Sequence, residues 1–169
     1  MKPQLSIFTY ICAALMLIFA FYAVPMSWNN MTLHSGTSDS VLGNSSLSAQ
    51  FINDVLCTNN SPACGTGEDM INRGWHHDVS PNYALGFFWQ GSNFGKVNCG
   101  QPSAICMAFK GSWKQTYDDW YSTVSGPLYK GSSVVSVDDI VSKAGGPPAY
   151  AKNVKAAWKT WNSGRVSLP

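Results

Sequence analysis

A chain of 169 residues with 12% charged residues and a formal net charge of +2 has room for one domain of ordinary size and too little charge to hold nucleic acid. Its Lys and Arg are spread singly along the sequence, with no basic cluster. Aromatics make up 13% of the chain, seven of them Trp, enough to fill a core without many Leu or Ile.

Leu5 to Val24 is a run of twenty residues without a charge. As a helix it is about 30 Å long, the thickness of a bilayer's hydrocarbon core, and it reads as an uncleaved transmembrane anchor. The alternative is a cleaved signal peptide, whose apolar region is about 7–15 residues and ends in a small-x-small site. Phe21, two residues before Ala23, is too large for that pattern. Lys2 and the α-amino group are the only charges ahead of the run, which favours a cytoplasmic N-terminus and a domain outside. Residues 1–25 are thus the anchor, in contact with membrane lipid over 5–24, and the Ser-, Asn- and Gly-rich residues 26–46 a flexible linker. Residues 47–162 form the domain and 163–169 a C-terminal tail.

Ser46 is placed to cap a helix bearing Leu47, Phe51 and Val55 on one face. Glu68 to Trp75 reads as a short helix with acids at its N-terminus, where the macrodipole favours them. Ser80-Pro81 opens a helix that is apolar almost all round through Trp89, as a central buried helix is. Residues 91–111, with four Gly, read as an irregular loop or short hairpins. Ser112 caps a helix with Trp113, Tyr117, Trp120 and Val124 on one stripe. Ser136 and Asp139 form a capping-box-like start, and Pro148 begins a last helix carrying Ala151, Val154, Trp158 and Trp161. The predicted fold is mainly α, with one small irregular or β segment.

Cys57, Cys64, Cys99 and Cys106 allow three disulfide connectivities, of which the local pairing Cys57–Cys64 and Cys99–Cys106 is the simplest. Their spacing is not of the C-x2-C type and the chain has three His, so no metal site is expected. No cofactor motif is present. His76-His77-Asp78 reads as a polar segment ahead of the Ser80 cap, and no Ser or Cys has a spaced His partner.

Several segments in order resemble one family: Ser61-Pro62-Ala63, Gly65-Thr66-Gly67, Ser80 through Trp89, Ser92-Asn93-Phe94-Gly95, Asp119-Trp120-Tyr121, Ser125-Gly126-Pro127-Leu128-Tyr129 and Ala149-Tyr150. Over residues 47–161 the chain is similar to the bacterial glucosaminidase family, peptidoglycan hydrolases with a lysozyme-like fold. The resemblance implies a helical lysozyme-like domain with a groove for peptidoglycan or a related aminosugar polymer. It also implies a general-acid Glu at the end of the buried helix, kept protonated by desolvation. This chain has Gly91 at that position and Gln90 where the family has His.

No Asp or Glu lies between Asp78 and Asp118, and Glu68 is the only Glu. Glu68 and Asp119 are the remaining candidates for a relocated acid, each with an ordinary role as a helix-start or solvated-face residue. Gln90, Asn93, Phe94 and Tyr129 are the candidate glycan contacts, with Tyr129 expected as an exposed, sugar-facing ring. The sequence therefore points to a catalytically degenerate, membrane-anchored glucosaminidase-like domain that binds peptidoglycan or acts as an envelope or assembly scaffold. The alternatives are an active hydrolase using a relocated carboxylate, and a structural subunit of a membrane or surface complex.

Overall fold

The computed structural model describes residues 40–43, 47–127, 129 and 135–169, all within one unit, Gly36–Pro169. The expected anchor and most of the expected linker lie outside the described residues. Among the described residues no helix is long and apolar enough to cross a membrane.

Six α-helices follow in order: α1 Ala49–Thr58, α2 Gly67–His77, α3 Pro81–Ser92, α4 Trp113–Val124, α5 Val137–Lys143 and α6 Pro148–Asn162. Side-chain chemistry sets their starts. Ser48 accepts from the Phe51 amide at α1, in place of the expected Ser46 cap, which lies outside the described residues. Ser112 does the same for Gln115 at α4. Ser136 and Asp139 form a reciprocal capping box at α5, and Pro81 and Pro148 occupy first-turn positions of α3 and α6, where no amide is needed.

Helix α3 is the centre. From Pro81 to Phe88 every residue is buried, because the helix is covered by α6 on one side and α2 on another. Phe87 touches Trp120 and Tyr150, and Phe88 meets Phe94, Trp113 and Tyr117, with centroids 5.4–6.0 Å apart. These edge-on and tilted contacts each add about 0.5–1.5 kcal/mol beyond burial. Gly86 lets α6 approach closely: a Cβ there would lie 3.0 Å from a Val154 methyl. The inward face of α1 is Ile52, Val55 and Leu56, with Phe51 only partly buried. Its stripe is rotated from the expected Leu47–Phe51–Val55 because Leu47 precedes the helix.

Two boundaries differ from the sequence expectation. Residues 40–43 belong to the domain rather than to a free linker. Val41 is fully buried, its amide donates to Val135 O (2.8 Å), and its carbonyl accepts from Ser80 N (2.8 Å). Leu42 bridges Val79. The apolar pair inside a Ser-rich stretch is what seats it. At the other end the expected tail is partly fastened: Gly164 (φ +80°) and Arg165 donate back to Trp161 O and Thr160 O, and Val166 packs on the core.

The irregular segment after α3 contains no sheet among the described residues. It has only the isolated bridges Ser103–Cys106 and Lys110–Ser112. Local disulfide pairing is seen in both cases. Cys57 faces Cys64 and Cys99 faces Cys106 at disulfide distance, with Cα atoms 4.7 and 6.3 Å apart.

Candidate functional site

The end of α3 is where the resemblance puts the reacting groups. The helix runs on past Trp89 to Ser92 and closes on Asn93 in the left-handed conformation (φ 49°). Ser92 Oγ donates to Phe88 O (3.0 Å) and accepts from Gly95 N (3.0 Å), which ties the Ser-Asn-Phe-Gly turn to the helix. Ser61 Oγ donates to Phe94 O (2.8 Å) from the other side. Gln90 is half-buried and Asn93 exposed. Phe94 is not available to a ligand. Its ring is fully buried against Phe88 and Trp161, because two consecutive left-handed residues turn the side chain inward.

Gly91 faces protein instead of a cleft. A Cβ there would overlap the Ile105 carbonyl oxygen and lie 2.9 Å from Tyr150 Oη and 3.1 Å from Cys106 Cα. Tyr150 Oη donates to Phe87 O and Ile105 O, joining α6, α3 and the irregular segment at this point. Burial pushes the Tyr150 phenol well above its ordinary pKa, so it stays a donor. The same segment is held from behind, where Trp120 Nε1 donates to Ala104 O (2.9 Å).

Tyr129 is also displaced from its expected role. It is 2% exposed, with Lys143 Nζ 5.4 Å from its ring centroid, because the chain after Gly126 turns back onto the core (Tyr129 N to Gly126 O, 3.0 Å).

The two candidate carboxylates stand in ordinary environments. Glu68 is exposed in the first turn of α2. Asp119 accepts from Gln115 Nε2 (2.8 Å) and pairs with Lys110 Nζ (3.1 Å); these bonds hold its carboxyl below the usual carboxylate range. A general acid needs the opposite shift.

A cluster that sequence reading missed joins α2 to the end of α4. Asp118 Oδ1 lies 3.1 Å from His77 Nε2 and 3.3 Å from Arg73 Nη1. The His77 hydrogen bond, followed by the charges of His77 and Arg73, lowers the Asp118 pKa. His77 Nδ1 is 3.5 Å from Ser125 Oγ, and its ring stacks at 6.2 Å on Tyr121. The order Ser–His–Asp matches a nucleophile relay, but the amides of Ser125 and Gly126 already donate to Tyr121 O and Thr123 O, so they offer no oxyanion site. The cluster acts as an ion-pair clasp between helices. Asp118 is too far in sequence from Arg73 and His77, 45 and 41 residues, for spacing to reveal it. Among the described residues no three His, Cys, Asp or Glu come together as a metal site.

A separate cavity lies away from the α3 end. An open cleft of about 540 Å³ runs along α6 and the start of α5, lined by Lys152, Lys155, Trp158, Lys159, Pro148 and Asp138. The three lysines follow an i, i+3, i+7 pattern opposite the buried stripe Ala151, Val154 and Trp161. The folded chain thus has a basic cluster that single-residue counting had not shown. No protein-family model matches the chain, and no curated protein or solved structure matches it.

Proposed function

We propose that this chain is a membrane-tethered, extracytoplasmic domain of glucosaminidase-like, lysozyme-like fold that has given up glycosidase chemistry and serves as an interaction module in the cell envelope. The sequence resemblance and the mainly helical, disulfide-paired architecture support the family. One observation carries the loss of catalysis: the position of the family's acid is Gly91, pressed against the Ile105–Cys106 backbone and Tyr150 Oη, where not even a methyl group has room. Glycoside hydrolysis needs a carboxyl held protonated beside the scissile bond. The α3 end has no carboxylate, and Asp119, a candidate for a relocated acid, has its pKa lowered by Gln115 and Lys110, the opposite of what a general acid needs. Binding without cleavage, to peptidoglycan or within an envelope assembly, is what such a domain retains.

The test is incubation of the full chain with purified peptidoglycan, reading released reducing ends and the fraction of protein sedimenting with the polymer. The expected result is no reducing ends above a heat-denatured control. Cleavage that disappears in Glu68→Gln or Asp119→Asn would overturn the proposal in favour of a relocated acid.

A further inference from the structure

The α6 cleft shares no residue with the α3 end and has no role in the proposal above. Its chemistry is one-sided. From Ile140 to Pro169 the chain has five cations, Lys143, Lys152, Lys155, Lys159 and Arg165, and no Asp or Glu. Nearly half of the eleven basic residues of a sparsely charged protein therefore lie in its last thirty positions. Lys155 is paired with Asp138 at 2.7 Å, which fixes the cleft's near wall where α5 meets α6. Lys152 and Lys159 are exposed and have no ion pair among the described residues. Seven residues apart on one helix, they are separated along its axis by about 10 Å. That spacing suits successive charges of a chain better than one small anion.

Trp158, the neighbour of Lys159 in sequence, lines the same cleft. Its indole lies parallel to the Tyr83 ring (centroids 5.6 Å, interplanar 8°), so one face is backed by α3 and the ring cannot turn away. A rigidly backed indole in an open cleft is a platform for a flat apolar surface. The C–H face of a pyranose ring is such a surface, and its hydroxyls remain wetted by the open side. The cleft volume of about 540 Å³ falls in the range of roughly 300–1,000 Å³ usual for small-molecule sites.

We propose that the α6 cleft binds an anionic glycan: a sugar ring stacks on Trp158, and acidic groups of the same polymer pair with Lys152 and Lys159. Charge complementarity and the aromatic platform together select this ligand. Lysines alone would accept any polyanion, and a lone Trp any apolar edge.

The experiment uses the full chain reconstituted in phosphatidylcholine nanodiscs, titrated with oligogalacturonate as the probe and followed by calorimetry. Oligoglutamate of equal charge and neutral dextran are compared. Native protein binds oligogalacturonate and neither comparator as tightly. Lys152→Gln/Lys159→Gln weakens binding about ten-fold, about three-fold per exposed pair. Lys114→Gln, an exposed lysine on α4, leaves binding unchanged. Trp158→Phe, which keeps a ring against Tyr83, weakens oligogalacturonate more than oligoglutamate. Equal affinity for oligoglutamate would overturn the sugar recognition, and an equal loss in Lys114→Gln would reduce the effect to net charge. Loss of binding when phosphatidylglycerol replaces phosphatidylcholine would assign the lysines to the membrane surface and also overturn the proposal. Peptidoglycan cleavage is read separately, so failure here leaves the non-catalytic reading standing.

Discussion

Replacing Gly91 by Ala is the sharpest test of how the α3 end is built. The added methyl meets the Ile105 carbonyl oxygen, Tyr150 Oη at 2.9 Å and Cys106 Cα at 3.1 Å. Two of these neighbours are backbone, and that backbone is fastened. Cys106 is paired with Cys99, Ser103 and Cys106 exchange amide–carbonyl bonds, and Ala104 O is held by Trp120. Relief must come from moving the segment or the Tyr150 hydroxyl. Overpacking of this kind costs about 1–3 kcal/mol, and weakening a Tyr150 hydrogen bond costs about 1 kcal/mol more. The helix gains at most about 1 kcal/mol from Ala over Gly, and less here because Gly91 is next to last in α3. The net expectation is a loss of about 2 kcal/mol, or a fall of about 6–10 °C in Tm. Thermal unfolding followed by circular dichroism measures it, with Gln90→Ala at the preceding residue as a control that changes by less than about 0.5 kcal/mol. Gly91→Glu is expected to lose more stability and to gain no glycosidase activity. A Gly91→Ala chain as stable as the native one would refute the reasoning, because an open cleft would then face α3 and an acid could stand there.

Three further outcomes follow from the packing. Tyr121 Oη is buried with no hydrogen-bond partner among the described residues, so Tyr121→Phe should raise stability by about 1 kcal/mol in a denaturant melt; a loss would mean the hydroxyl has a partner. The Asp118 carboxyl has its pKa lowered in the fold, so its contribution is complete above the unfolded value near pH 4 and is lost as pH falls through the folded value. Asp118→Asn should cost about 0.5–1 kcal/mol at neutral pH, given its partial exposure, and the difference should vanish under acid when Tm is followed against pH. Replacing Cys57 and Cys64 together by Ser opens a loop of seven-residue separation and should cost about 2–3 kcal/mol by the chain-entropy estimate, read as a fall in Tm; reductant, which opens the Cys99–Cys106 pair as well, should lower the Tm of the native chain at least as far.

The helices were legible because each carries its own start. Ser112 and the Ser136/Asp139 pair place backbone-capping side chains beside an apolar period, Pro81 supplies a first-turn residue that needs no amide partner, and all three helices begin there. Where two serines compete within three positions, as Ser46 and Ser48 do, local chemistry does not choose between them; of the expected stripe Val55 is fully buried, Leu47 and Phe51 pack on the core in part, and Ile52 and Leu56 complete the inward face. Tyr129 was misread for a related reason. A Tyr after Ser-Gly-Pro has the local features of an exposed loop, and only the return of the chain onto the core buries it. The Asp118 clasp and the α6 cleft depend on which helices become neighbours. Arg73 and Asp118 are forty-five residues apart, and no periodicity within α2 or α4 encodes their meeting.

Gly91 has one meaning in the sequence and another in the fold. Beside the family pattern it reads as a deleted acid, a position waiting to be refilled. In the structure it is a requirement: the Ile105–Cys106 backbone and Tyr150 Oη sit so close to α3 that only hydrogen fits. The carboxylate-free stretch from Val79 to Tyr117 is consistent with the same construction, since an ionised side chain in this joint would be desolvated with no partner. On the proposed family reading, the absent acid and the closed position at Gly91 are one structural feature. Restoring the acid alone cannot restore the site, because the side chain has to displace a segment held by a cysteine pair on one side and the Trp120 indole on the other. At Gly91 the α3 end is thus a closed joint, whereas the basic cleft along α6 is open.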